Sequence, residues 1–145
     1  MTMRVHRDVV LATTVDETWQ LLTDPDELAA WLGTPTTLDL RPGGMAAYVE
    51  PDGTVRHAVV EHVERHDDRA CLAFVWWDAA DPRPDAVATR VVFELTATDA
   101  GTRVDVTETR ASVAGASVRV PFGAFWDDRL FDLERHSLTR QFALV

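Results

Sequence analysis

Phe122-Gly123-Ala124-Phe125-Trp126-Asp127-Asp128-Arg129-Leu130-Phe131-Asp132-Leu133-Glu134-Arg135-His136-Ser137 sets Phe122, Trp126, Leu130, Leu133 and Ser137 at steps of three and four, with Phe125, Arg129 and His136 beside that stripe. Side chains so spaced share one face of an α-helix. The spacing predicts one long amphipathic helix from Phe122 to the C-terminus. Upstream the period changes. From Thr36 onward, short alternating apolar runs are separated by turn chemistry at Pro42-Gly43-Gly44, Asp52-Gly53, His66 to Arg69 and Asp99-Ala100-Gly101, as in an antiparallel meander. Strands are expected over Thr36 to Leu40, Met45 to Glu50, Thr54 to Arg65, Cys71 to Trp77, Thr89 to Thr98 and Thr102 to Arg110. The Pro- and Asp-rich stretch Asp78 to Val87 is expected to be an exposed loop. Ahead of the meander, Arg4 to Ala12 is β-branched and alternating, an opening strand. Asp16 can cap a helix carrying Trp19, Leu21 and Leu22, and Asp24-Pro25 breaks it before a second short helix with Leu28, Trp31 and Leu32 that stops at Gly33. The order is that of an α+β chain forming a single domain over residues 1–145.

Composition narrows the function. The 145 residues carry a formal net charge of −10, and all 14 basic residues are Arg. An acidic surface repels phosphate backbones and anionic lipid, so neither nucleic acid nor membrane is expected as a partner. The absence of Lys excludes Schiff-base chemistry and a phosphate-binding P-loop. The single cysteine, Cys71, excludes an internal disulfide and a multi-cysteine metal site, and its apolar neighbours point to an inert, packed thiol. No apolar run reaches the roughly 18 residues of a membrane span, and the N-terminus lacks a signal-peptide core, so a cytoplasmic location is expected.

The string Val15-Asp16-Glu17-Thr18-Trp19-Gln20-Leu21-Leu22-Thr23-Asp24-Pro25-Asp26-Glu27-Leu28-Ala29-Ala30-Trp31-Leu32, within this order of elements, resembles the SRPBCC (START-like, Bet v 1-like) superfamily, in particular the branch named after the activator of the heat-shock-protein-90 ATPase. Arg41-Pro42-Gly43-Gly44, Leu72 to Trp76, Val91 to Leu95 and Gly101 to Glu108 agree with the same pattern. The resemblance covers nearly the whole chain. It implies a helix-grip fold: a curved antiparallel sheet around a long C-terminal helix, with two short helices after the first strand. It also implies a deep cavity between sheet and helix, ligands ranging from lipids to polyketides, and no universal catalytic residue. Ala111 to Val120 departs from the usual polar turn before the last helix.

Several residues could carry chemistry. Val104, Val106, Glu108 and Arg110 share one strand face, and the two valines turn Glu108 toward the interior. A buried carboxylate calls for a partner, and Arg129, on the flank of the helical stripe, is the expected one. The alternative is that Glu108 and Arg129 both stand in solvent. Trp31, Tyr48, Phe74, Trp76, Phe122 and Trp126 form an aromatic set that either lines a ligand pocket or fills the core, with the Tyr48 hydroxyl as a further polar anchor. His57, His62 and His66 would chelate as a helix, but on a strand His57 and His62 point to opposite faces, so no metal is expected. Ser117 lacks the closing glycine of a nucleophile elbow. Asp127 and Asp128 suit the start of a helix.

The function expected is binding of a small, largely apolar molecule in the internal pocket without a cofactor, through Trp31, Tyr48, Phe74, Trp76, Glu108, Phe122, Trp126 and Arg129. Turnover is left open; if it occurs, Glu108 is the candidate catalytic residue for a cyclisation or dehydration of the polyketide cyclase type. The alternatives are a protein-interaction module of the chaperone-ATPase-activator type, a homodimer included, and a sensor whose Asp78 to Val87 loop is ordered by ligand.

Overall fold

In the computed structural model, which describes residues 4–80, 88–110 and 122–143 and, within the last helix, the side chains of 125–139, β1 (Arg4–Leu11) leads into α1 (Val15–Thr23) and α2 (Pro25–Trp31). Six strands follow: β2 (Thr34–Leu38), β3 (Met45–Val49), β4 (Val55–Arg65), β5 (Arg69–Asp78), β6 (Thr89–Thr98) and β7 (Gly101–Arg110), before α3 (Phe122–Ala143). The expected loop begins later than predicted, because β5 runs on to Asp78; residues 81–87 of that loop, Ala111 to Val120 and the Phe122 side chain lie outside the described residues.

The seven strands form one antiparallel, curved open sheet in the order β1-β7-β6-β5-β4-β3-β2. Consecutive strands β1 and β2 therefore stand at opposite edges, and α1 and α2 carry the chain between them. The concave face holds α3, whose Trp126, Leu130 and Leu133 are buried with Phe74, Trp76, Val91, Phe93, Val104 and Val106 in one core cluster. This is the helix-grip architecture, and the period read from Phe122 onward has its cause here: the stripe is the face that the bent sheet covers.

Local chemistry sets the helix boundaries. α1 begins one residue before the expected cap, because Thr14 rather than Asp16 closes it: Thr14 Oγ1 accepts from Glu17 N at 3.1 Å while Thr14 N donates to Glu17 Oε1 at 3.2 Å. Asp16 lies in the first turn and pairs with Arg65. Asp24 caps α2 by accepting from Asp26 N at 2.9 Å, with Pro25 at the first helical position.

The end of β1 is stitched to the start of β7. Thr102 Oγ1 donates to the Thr13 carbonyl at 2.7 Å, and the Thr13 and Thr18 hydroxyls meet at 2.7 Å, all three residues being buried. Gly101 permits the approach. Its φ is +139°, and a Cβ there would stand 1.9 Å from the Leu11 carbonyl oxygen. Gly101→Ala should therefore cost more than the roughly 1–3 kcal/mol typical of backbone strain alone. Gly53→Ala, where φ is +90° but the space is open, should stay within that range. Urea unfolding of both variants checks this, and equal losses would contradict the close contact.

Candidate functional site

The site is built on two rows of concave-face residues. Val60, Phe74, Val91 and Glu108 stand in register across β4 to β7, and Ala58, Trp76, Thr89 and Arg110 form the adjacent row. Alternation along β7 turns Glu108 inward, as its sequence position predicts, and the residue is 1% exposed.

The partner of Glu108 is not Arg129. Its Oε2 accepts from Trp76 Nε1 at 2.8 Å and from the Thr89 hydroxyl, and its Oε1 accepts from Trp126 Nε1 at 2.8 Å. Among the described residues no cation forms an ion pair with it. The two indoles lie nearly parallel, 15° apart with centroids at 5.9 Å, so each delivers its N–H to a different oxygen of one carboxylate. Three donors offset the loss of hydration that makes a lone buried carboxylate costly. The expectation of an arginine failed because tryptophan side chains were weighed as apolar walls, whereas each indole also carries a hydrogen-bond donor.

Arg129 instead bonds Asp132 at 3.2 Å, one turn along α3, and lies 5.2 Å from the centroid of the Phe125 ring. Arg56 shares that ring: its guanidinium sits 4.6 Å from the Trp76 centroid and 5.5 Å from that of Phe125. Arg56 Nε approaches Glu50 Oε1 at 3.3 Å without pointing its N–H at the oxygen, so the contact is ionic and not a formed hydrogen bond. Glu50 is itself buried, and burial raises its pKa against the pull of Arg56 and Arg129. Sequence reasoning missed Arg56, Glu50 and Thr89. Alternation from Ala58 and Val60 would have turned Arg56 inward.

The aromatic set is one connected wall. Tyr48 touches Phe74, Phe74 touches Trp76 and Phe93, and Phe93 meets both Trp31 and Trp126, with ring centroids 5.3–6.4 Å apart. Trp31 is anchored at 2.8 Å to the Leu21 carbonyl, tying α2 to α1. Tyr48, in register with Arg56, faces the same concavity. Burial pushes its pKa up to about 12.

The convex face corrects the histidine reading. A β-bulge between Val60 and His62 inserts a residue into β4 and reverses the alternation, so His57, in register with Trp77, and His62, in register with Ala73, share the outer face. His62 and His66 both approach Glu64, at 3.2 and 2.7 Å. Beside them a groove of about 370 Å³ is lined by Glu64, His66, Arg69, Cys71 and Glu94 among others. Cys71 is only partly buried, and burial with the nearby Glu94 and Glu64 raises its pKa, which favours the inert thiol. Farther along, His6, Asp8 and Asp105 bring possible ligand atoms within 4.8 Å of one another, but Arg103 already pairs with both aspartates.

A helix-grip fold with an aromatic concave wall defines the class. Residues 12–135 match the family model described as Activator of Hsp90 ATPase homolog 1-like protein. The chain belongs to that family. Among solved structures it is similar to DynU16, a protein of the dynemicin biosynthetic locus, with a TM-score of 0.75 and 27% identity over 92% of this chain; the chain spans 46% of the DynU16 chain. It is also similar to MLL2253 from Mesorhizobium loti, with a TM-score of 0.78 and 21% identity over 95% of this chain and 98% of that one. CalU16 from Micromonospora echinospora gives a TM-score of 0.67 and 21% identity over 98% and 79%. No match is found among curated proteins. Among the described residues no helix is long and apolar enough to cross a membrane.

The Glu108 cage has a direct mutational consequence. In Glu108→Gln either amide orientation sets an NH2 group against an indole N–H, which can only donate. The substitution should cost about 1–3 kcal/mol, the penalty for an unsatisfied buried polar group, together with a loss of near-ultraviolet circular dichroism from the two tryptophans. A variant as stable as the parent in urea would show that the cage carries no energy.

Proposed function

We propose that this protein binds a small, largely apolar molecule between the concave sheet and α3, with the aromatic wall as the apolar contact surface. The observation that carries this reading is the wall itself, continuous from Trp31 through Phe93, Phe74 and Tyr48, beside polar groups that have no hydrogen-bond partner among the described residues. They are buried guanidinium nitrogens of Arg56, Arg110 and Arg129. Specific small-molecule sites have this composition: mostly apolar walls with a few placed polar groups. The likeness to DynU16, from a biosynthetic locus, supports a small-molecule role. Glu108, enclosed by three donors, is assigned as the brace that holds Trp76 and Trp126 in place, and binding rather than turnover is the activity proposed.

A second reading, a protein-interaction module, is favoured by the family description and by Phe131 and Leu138, which lie seven residues apart on α3 and are 60% and 43% exposed.

One experiment separates the two. The protein is melted with a panel of neutral aromatic probes, 2-naphthol, 2-naphthamide and anthraquinone, while tryptophan fluorescence is followed. A pocket binder gains about 2.7 kcal/mol from a probe at 100 times its dissociation constant, and the stacked pair Trp76 and Trp126 should report the same titration. No shift and no fluorescence change with any probe would overturn the ligand-binding reading in favour of the interaction module.

A further inference from the structure

We propose that Arg56 and Arg129 form a receptor for a carboxylate, so that the molecule bound on the aromatic wall is a carboxylic acid with an apolar body. This inference rests on the ligand-binding reading and names the chemical class of its ligand.

Three features of the concave face converge on it. The first is unspent hydrogen-bonding capacity. Arg56 Nε, Arg110 Nη2 and Arg129 Nε are buried and have no hydrogen-bond partner, and these are the only such side-chain atoms among the described residues. A buried donor left unpaired is costly, and native structures rarely carry one without a reason. Arg110 makes no ion pair among the described residues, and alternation from Glu108 aims it at the concave side, in register with Thr89 on the row of Trp76.

The second feature is what the arginines do not contact. Glu108 is the fully buried carboxylate nearest in the strand pattern, yet both of its oxygens are already taken by the two indoles and Thr89. It makes no claim on the guanidinium groups. The carboxylates that do approach them are poor matches: Glu50 stands at 3.3 Å from Arg56 out of line, and Asp132 reaches Arg129 through one long contact at 3.2 Å. Neither is the two-pronged, in-plane pairing that a guanidinium favours.

The third feature is position. Arg56 lies over Trp76 and Phe125, and Arg129 lies over the same Phe125. Stacking holds the planar groups against the aromatic wall and dries one face of each. A ligand whose acid group meets these arginines therefore sets its apolar body against Phe125, which is only partly buried. The charge required is single. Glu50 and Asp132 border the arginines, and the whole chain carries −10. A doubly charged phosphate would meet more repulsion there than a carboxylate, and its tetrahedral oxygens fit a planar fork less well.

The test is isothermal titration calorimetry with the matched pair 2-naphthoate and 2-naphthamide, extended to anthracene-2-carboxylate and its amide. Titrations use the full chain, its Arg56→Met, Arg129→Met and doubly substituted variants, and Glu50→Gln. The acid should bind at least about tenfold more tightly than its amide, a difference of about 1.4 kcal/mol. Either Met variant should bring the two within about twofold, through a loss of acid affinity larger than any change in the amide. Glu50→Gln should tighten acid binding alone, because it removes the competing carboxylate while leaving both arginines in place, so the proposal remains open to refutation if the Met variants do not fold. Acid and amide binding equally to the parent, or an acid preference that survives in the double variant, would overturn the carboxylate receptor and leave the apolar pocket standing. Failure of both acids and both amides to bind would overturn the pocket as well.

Discussion

The carboxylate of Glu108, held between the indole N–H groups of Trp76 and Trp126 and capped by Thr89, is the interaction on which the rest of the concave face depends. It joins four elements: β7 supplies the acceptor, while β5, β6 and α3 supply one donor each. A hydrophobic interface alone would let α3 slide or rotate on the bent sheet, since apolar contact is not directional. Two hydrogen bonds to opposite oxygens of one carboxylate remove that freedom. They fix the angle of the Trp126 ring, and through it the rotation of the helix that carries Phe125 and Arg129.

The same bonds explain why the arginines do not pair with Glu108. Because indoles satisfy the acid without adding positive charge, the nearby guanidinium groups are not drawn into neutralising it. They rest on aromatic faces instead, where one carboxylate approaches out of line and another from a turn away. The sheet contributes in a different way. Its inner rows grade from apolar at Val60, Phe74 and Val91 to polar at Thr89 and Arg110, so polarity increases toward the end where Arg56 and Arg129 lie. At the other end the Thr13, Thr18 and Thr102 knot closes β1 onto β7, and the capped helices α1 and α2 bridge the opening between the two sheet edges.

Much of this was legible in the sequence, and the parts that were not have identifiable causes. The helical period through Trp126, Leu130 and Leu133 and the two-residue period through Val104, Val106 and Glu108 are local patterns, and both gave the correct inward face. The identity of a partner is not local. Trp126 follows Glu108 by 18 residues and Trp76 precedes it by 32, so charge complementarity suggested Arg129 where donor geometry selected tryptophan. Arg56 is not legible because a charged residue on a strand is ordinarily assigned to the solvent side, whereas here the adjoining rings of Trp76 and Phe125 accept it. His57 and His62 were assigned to opposite faces on a strict alternation that the bulge at Glu61 breaks. Asp16 is a capping residue type, but Thr14 has Glu17 three residues on, the spacing of the capping box, where Asp16 has Trp19.

The central claim is that one buried carboxylate holds both indole N–H groups, and nitrogen-15 resolved nuclear magnetic resonance of the tryptophan indoles tests it most directly. The chain has five tryptophans. The indole protons of Trp76 and Trp126 should resonate downfield of those in solvent contact and exchange slowly with deuterated water, and in Glu108→Gln the one that faces the amide NH2 should lose both properties. Rapid exchange of either indole proton in the parent protein, or a Glu108→Gln spectrum in which both remain shifted and protected, would contradict the account.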